Sequence, residues 1–403
     1  MERRFLDRRS PPALLTLVLL AGLSALSMNI FLPSLPGMAE WYDVPYGVMQ
    51  QSVSLYLLLS AVLQVLIGPL ADRYGRRPVL LVALVLFLLA SVGTLFAPNA
   101  TVFLICRMAQ AVIAAGMVLS RAIVRDMVPD AEAASMIGYV TMGMSLVPMI
   151  GPVIGGLLDE AFGWQASFAF LLLCGLGVTA LVTADLGETG RPRHDISVWS
   201  QFRLYPVLLR SVRFWGYSLS AAFASGCFFA FLGGAPFVGT EIFGLSSFAV
   251  GALFALTALG YAGGNYLAGR LSVRVGMNRM VLIGTVITTA GLLALLLITA
   301  AGLSGPVLFF GMTMVMGVGN GVCMPNANAG IVSVRPDLAG SASGLGGAIM
   351  IGGGSALAAL AGAMLGPGSS EMPLILLMLA SSVASIGAIL AVMRRARRLG
   401  LAP

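Results

Sequence analysis

The side chains of this sequence that could do chemistry are few, and most are charges in places where charge is costly. Arg107 stands inside a long apolar run, about six residues from its nearer end, and an ionisable group so placed marks a functional site by default. Gln110 follows one helical turn later on the same face, where its amide can hold the guanidinium. A second constellation, Gly68-Pro-Leu-Ala-Asp72-Arg73-Tyr-Gly75-Arg76-Arg77, packs an acid and three arginines into a tight turn between two apolar runs. Gly75 permits a backbone turn there that a side chain would obstruct. A third, Gly151-Pro152-Val-Ile-Gly155-Gly156, sets a helix breaker and small residues within an apolar run. The proline frees a carbonyl and bends the helix, and the glycines allow close packing against a neighbour.

Several chemistries are excluded at once. All 23 basic residues are arginine, so neither a P-loop lysine nor a Schiff-base lysine exists, and the chain cannot hydrolyse ATP by a Walker mechanism on its own. Cys106, Cys174, Cys227 and Cys323 are scattered through apolar runs with no metal-site spacing, and read as small buried hydrophobes. No metal site is expected. The one histidine, His194, falls in the longest polar stretch and is expected to be solvated. A membrane enzyme would need clustered acids, histidines or a nucleophile with its base, and the apolar runs offer none.

The elements that must position these residues follow from composition. Of 403 residues, 58% are hydrophobic and only 10% charged, against about 25% charged in soluble proteins. Mean hydropathy is +0.96. This is an integral membrane protein. A spanning helix takes about 20 apolar residues, and twelve such runs lie near 12–34, 47–70, 78–97, 101–123, 135–158, 164–186, 213–238, 247–269, 279–301, 305–332, 338–364 and 372–393. They are continuously apolar rather than alternating, which makes them helices and not barrel strands. The first is preceded by basic residues like a signal peptide, but its length makes it a permanent span.

The arginines orient the spans. Twenty-two of the 23 fall in the tails or in loops after even-numbered spans, while the loops after odd-numbered spans hold none. That accounts for the net charge of +7 without nucleic acid, and puts both termini in the cytoplasm. The polar stretch after span six divides the chain into a first bundle over 1–187, a linker over 188–212 and a second bundle over 213–403. Within the linker, Ser197–Arg210 mixes aromatic residues and arginines, as a helix lying along the inner leaflet would.

The two bundles are related. Offset by 201 residues, Gly68, Leu70, Arg73 and Gly75 coincide with Gly269, Leu271, Arg274 and Gly276, each set following the second span of its half. Two parallel six-span halves imply a transporter with its site between them near the midplane. Candidates to line it are Tyr56, Tyr139, Met142, Phe228, Phe231, Tyr261, Asn265, Asn320, Asn326 and Asn328; the asparagines rank first, since an amide in lipid requires a partner. The 22 methionines could furnish an adaptable binding surface.

Gly68–Arg77 resembles the signature loop of the major facilitator superfamily. Arg107-Met-Ala-Gln110 is similar to that superfamily's span-four motif, with Ala111 in place of a glycine, and Gly151–Gly156 resembles the antiporter signature of drug exporters. Asn29-Ile-Phe-Leu-Pro33-Ser-Leu-Pro36 is similar to a pattern of the bicyclomycin/chloramphenicol resistance subfamily, in which an acid stands at the first position. The resemblance covers essentially the whole chain. It implies an all-α fold of twelve helices in two pseudo-repeated bundles. It also implies that Asp72 faces a helix N-terminus of the other half near Leu338, and that Arg76 pairs with Asp126, so that the cytoplasmic side is latched shut in one state. Asn29 cannot ionise as an acid would, which leaves proton coupling to Asp126, Glu241 or the substrate's own charge, or else leaves transport uncoupled or an exchange. An uncompensated Arg107 would favour anionic or strongly polar substrates.

The expected protein is a secondary-active exporter of drugs or small metabolites in a bacterial inner membrane, and not an enzyme. It works by alternating access with the proton gradient as energy source, without cofactor or ATPase subunit, as a monomer whose partners are its substrate and the bilayer. A solute-specific facilitator or symporter would share this architecture, and the Gly151-Pro152 motif argues against it.

Overall fold

A computed structural model describes residues 6–8, 11–127, 136, 140, 147, 150–190, 205–335 and 338–398. These residues form a bundle of long helices, of which eleven are long and apolar enough to cross a membrane. They are α1 (Leu14–Trp41), α2 (Tyr46–Tyr74), α3 (Arg76–Leu95), α4 (Ala100–Met127), α6 (Gln165–Asp185), α7 (Val212–Ile242), α8 (Ser247–Val275), α9 (Met277–Ala300), α10 (Pro306–Ser333), α11 (Ala339–Met364) and α12 (Met372–Arg398). The fifth expected span is described as helix over 150–162, here α5, and at three isolated positions before it. Of the expected interfacial helix only a short turn, Tyr205–Leu209, lies within the described residues.

The duplication seen in the sequence is present in the backbone. α2 and α8 are each 29 residues long, and they begin and end at the same 201-residue offset. Each stops at a glycine with positive φ, +100° at Gly75 and +90° at Gly276, and the next helix begins on the following residue. A side chain at either position would strain the turn by about 1 kcal/mol or more.

Three helices are interrupted, two of them at or beside a proline. α1 continues beyond the expected end at 34, but its α-helical geometry stops at Asn29. It tightens over Leu32–Ser34, where Pro33 lacks an N–H, and resumes as Leu35–Trp41. α4 tightens over Ala111–Ile113, just beyond Gln110. α7 widens into a π-turn over Val238–Ile242, beyond Pro236.

Large apolar side chains such as Leu86, Leu89, Leu173 and Leu297 are exposed on the outside of the bundle. An apolar exterior of this kind suits lipid and not water. The two halves meet chiefly along α2 and α11. At the arginine-poor end of this seam Tyr46 Oη donates to the Gly233 carbonyl at 2.7 Å and Gln50 Nε2 to the Ala358 carbonyl at 2.6 Å, while Ser355 Oγ donates to the Ser54 carbonyl at 2.7 Å. Gly47 and Gly362 let the backbones touch there. Interhelical hydrogen bonds within membranes average about 0.6 kcal/mol each, so a handful of them closes this end without welding it.

Candidate functional site

Arg107 is fully buried, which rejects a side chain reaching out to the interface. Its Nε donates to the Ser52 carbonyl at 3.3 Å, Nη1 to Gln110 Oε1 at 2.8 Å and to Ser27 Oγ at 3.2 Å, and Nη2 to the Ser27 carbonyl at 2.7 Å. The guanidinium carbon stacks over the Tyr56 ring at 3.9 Å and the Phe31 ring at 4.5 Å. Gln110 is itself oriented, its Nε2 donating to Ser91 Oγ at 2.9 Å, and Tyr56 Oη donates to Ser27 Oγ at 3.3 Å. Among the described residues no carboxylate pairs with Arg107. A permanent charge is thus held between two π-faces by neutral acceptors from α1, α2 and α4.

Asn29 is not one of those acceptors. Its Nδ2 donates to the Ala25 carbonyl at 2.9 Å, its Oδ1 has no hydrogen-bond partner among the described residues, and it faces α5, where a Cβ on Gly151 would lie 3.8 Å from Asn29 Cβ. Ser27, two residues earlier and therefore on another face of α1, takes the guanidinium instead. Pairing of position 29 with Arg107 is absent from this arrangement. The serines at 27, 52 and 91 were not singled out by sequence; small hydroxyls within apolar runs were the available signal.

The other sequence candidates are placed unevenly. Asn320 is buried on α10 with neither amide atom hydrogen-bonded among the described residues, whereas Asn29 leaves only its Oδ1 unpaired. Asn326 and Asn265 spend their Nδ2 on carbonyls of their own helices, Val322 and Tyr261. Asn328 is exposed. Phe231 does not line an open site: it is fully buried, its ring 4.8 Å from that of Phe254 and 6.1 Å from that of Phe310, because aromatic packing claims it. Phe228 is half-buried at the edge of that cluster. Tyr139 and Met142 lie outside the described residues.

At the arginine-rich end, Arg76 pairs with Asp72 one turn earlier and with Asp126 through Nε at 3.1 Å. The expected Arg76–Asp126 contact is therefore formed. Glu188, which sequence reasoning missed, accepts from the backbone N–H groups of Arg76 at 2.8 Å and Arg77 at 3.2 Å, capping α3. Asp185, at the end of α6, is buried and caps α1, accepting from the Ala13 N–H at 2.8 Å and from Thr16 Oγ1 at 2.6 Å. Both acids thus serve helix starts. Gly68 has open space where a side chain would go, whereas Gly75 would meet Glu188. Gly68→Ala is expected to leave the melting temperature unchanged and Gly75→Ala to lower it, as differential scanning fluorimetry of the purified protein would report.

The Gly151–Gly156 segment lies where three helices converge. A Cβ on Gly155 would sit 1.6 Å from the Ile30 carbonyl oxygen of α1, and one on Gly156 would sit 2.5 Å from the Ser247 carbonyl oxygen of α8. From the other side, a Cβ on Gly251 of α8 would sit 2.2 Å from the Pro152 carbonyl oxygen. These glycines bring α5 into backbone contact with its own half and with the opposite one.

Paired six-helix bundles of this kind, with a repeated charged turn and buried polar groups in the spans, are the architecture of secondary membrane transporters. The chain belongs to the Major Facilitator Superfamily, whose sequence profile matches residues 17–359. It is 32% identical to a chloramphenicol resistance protein of Pseudomonas aeruginosa over 74% of this chain and 71% of that one. It is 28% identical to multidrug resistance protein D of Escherichia coli over 92% of this chain and 93% of the relative. Among solved structures, a bacterial homologue of the human lysosomal transporter Spinster, in an inward-facing and occupied conformation, superposes with a TM-score of 0.70. That alignment covers 95% and 96% of the two chains at 16% identity, and it bears on the fold alone. The protein is a multi-pass membrane transporter and not an enzyme.

Proposed function

We propose that this protein exports small amphipathic molecules from a bacterial cytoplasm across the inner membrane, in exchange for protons. The observation that carries the proposal is the position of Gly155 and Gly156, which put the antiporter-like segment on the seam that shuts one end of the pathway. The resistance proteins among the relatives support the substrate class. The arginine asymmetry supports cytoplasmic termini, so that the shut end faces outward and the substrate enters from inside. The protein works as a monomer with no ATPase subunit and no cofactor.

In this reading the halves rock about the α2–α11 seam. The unpaired Oδ1 of Asn29 and the unpaired amide of Asn320 receive polar groups of the substrate, since a buried polar group without a partner costs about 1–3 kcal/mol until one arrives. Asp72, Arg76 and Asp126 latch the arginine-rich end against α11 when it closes. Asp72→Asn is then expected to slow transport several-fold with little change in melting temperature; unchanged transport would remove the latch.

The test is uptake of chloramphenicol and of a lipophilic cation into inverted membrane vesicles, with and without an uncoupler. Uptake that collapses with the uncoupler is expected, in the parent and in Asn29→Asp alike. Uptake indifferent to the uncoupler in the parent, and made sensitive by Asn29→Asp, would contradict proton coupling in this chain. No uptake of either compound would point to a dedicated solute carrier.

A further inference from the structure

The arginine-poor end of the seam carries two acids that the reading above does not use. The last turn of α5 carries Asp159 and Glu160, and α8 of the opposite half begins beside them. Glu160 Oε1 accepts a hydrogen bond from the Phe248 backbone N–H, in the first turn of α8, at 3.0 Å. The Asp159 carboxylate faces the side chain of Ser247, whose Oγ donates at 3.5 Å to the Pro33 carbonyl of α1. The glycine contacts at Gly156 and Gly251 hold the two backbones in this register.

A helix N-terminus presents unpaired N–H groups and partial positive charge, which a carboxylate stabilises. α8 already has a cap of its own, because Ser246 Oγ accepts from the Ala249 N–H at 3.2 Å. It can therefore fold without Glu160. What Glu160 adds is a charge-assisted bond between the halves, one that exists only while this end is shut.

We infer that Glu160, with Asp159 beside it, is a positioning residue of the transport cycle: it caps α8 across the seam and holds the arginine-poor end closed until the halves rock apart. The inference rests on the alternating-access reading, and it predicts a change in conformational population and not in folding. Removing the carboxylate raises the open-to-shut ratio at this end about two- to fivefold, the scale of an exposed carboxylate at a helix N-terminus.

The experiment places spin labels at Phe96→Cys and Leu303→Cys, which are 80% and 64% exposed in the turns on either side of this end. The native cysteines are replaced, and the full chain is held in lipid nanodiscs for pulsed distance measurement. Glu160→Ala is expected to move population to longer distances with an unchanged melting temperature, and Glu160→Gln, which keeps an acceptor without the charge, to move less. Asp43→Asn, another acid at the same end, is expected to move nothing. Distances in Glu160→Ala equal to those of the parent would overturn the inference, and so would a Glu160→Ala protein that fails to fold, since the cap would then be structural. Efflux by the unlabelled parent tests the transport reading separately.

Discussion

Arg107→Ala is expected to destabilise the protein by about 3–5 kcal/mol and to reduce efflux more than tenfold. The substitution deletes the donor to Ser27 Oγ, the Ser27 and Ser52 carbonyls and Gln110 Oε1, and strips the cation from between Tyr56 and Phe31. Four acceptors then face one another in an apolar interior, and a cavity the size of an arginine opens beside them. Among the described residues no acid neutralises the charge, so part of the loss is offset by relief of its desolvation, which keeps the estimate below a simple sum of the bonds. Arg107→Lys separates packing from geometry. An ammonium keeps the charge but cannot reach three helices with a planar fork, so a smaller fall in melting temperature and a similar loss of efflux are expected. Thermal denaturation with parallel efflux assays checks both. An Arg107→Ala protein that melts and transports like the parent would show that the cage has no role.

Gly155→Val is the second large effect. A Cβ at this position falls 1.6 Å from the Ile30 carbonyl oxygen and 2.7 Å from its carbon, and both are backbone atoms that cannot rotate away. Overpacking usually costs about 1–3 kcal/mol when side chains can rearrange. Here α5 itself must move off α1, which carries Gly156 off α8 and opens the seam. Transport is expected to be lost even where the protein still folds, with the arginine-poor end accessible to thiol reagents that do not cross membranes. A shut, active Gly155→Val protein would separate this motif from closure. The contrast with Gly68 is informative, because glycine in a signature position is required by contact in one case and by nothing visible in this conformation in the other.

Most of the fold was legible because a bilayer leaves the sequence little freedom. Length, apolar continuity and the arginine pattern gave the spans, and the repeated Gly-x-Leu turn gave the halves, later seen as two helices of 29 residues each. The site was less legible. Arg107 and Gln110 stood out by type, but their partners are serines and backbone carbonyls, which look like any other small residues in a span. The burial of Phe231 depends on which helices its neighbours Phe254 and Phe310 occupy, and one sequence does not carry that. Asp185 and Glu188 were not legible either: acids at span ends cap helices of distant sequence, a use that proximity along the chain conceals.

The central claim is that the arginine-poor end must open in every cycle. Ser54→Cys and Ser355→Cys, introduced together in a background lacking the native cysteines, test it most directly, because Ser355 Oγ lies 2.7 Å from the Ser54 carbonyl oxygen across the seam. Both changes are nearly isosteric. Oxidation to a disulfide is expected to stop efflux, and reduction to restore it to the level of the untreated double variant. Efflux that continues at full rate with the two halves covalently joined at this end would contradict the account.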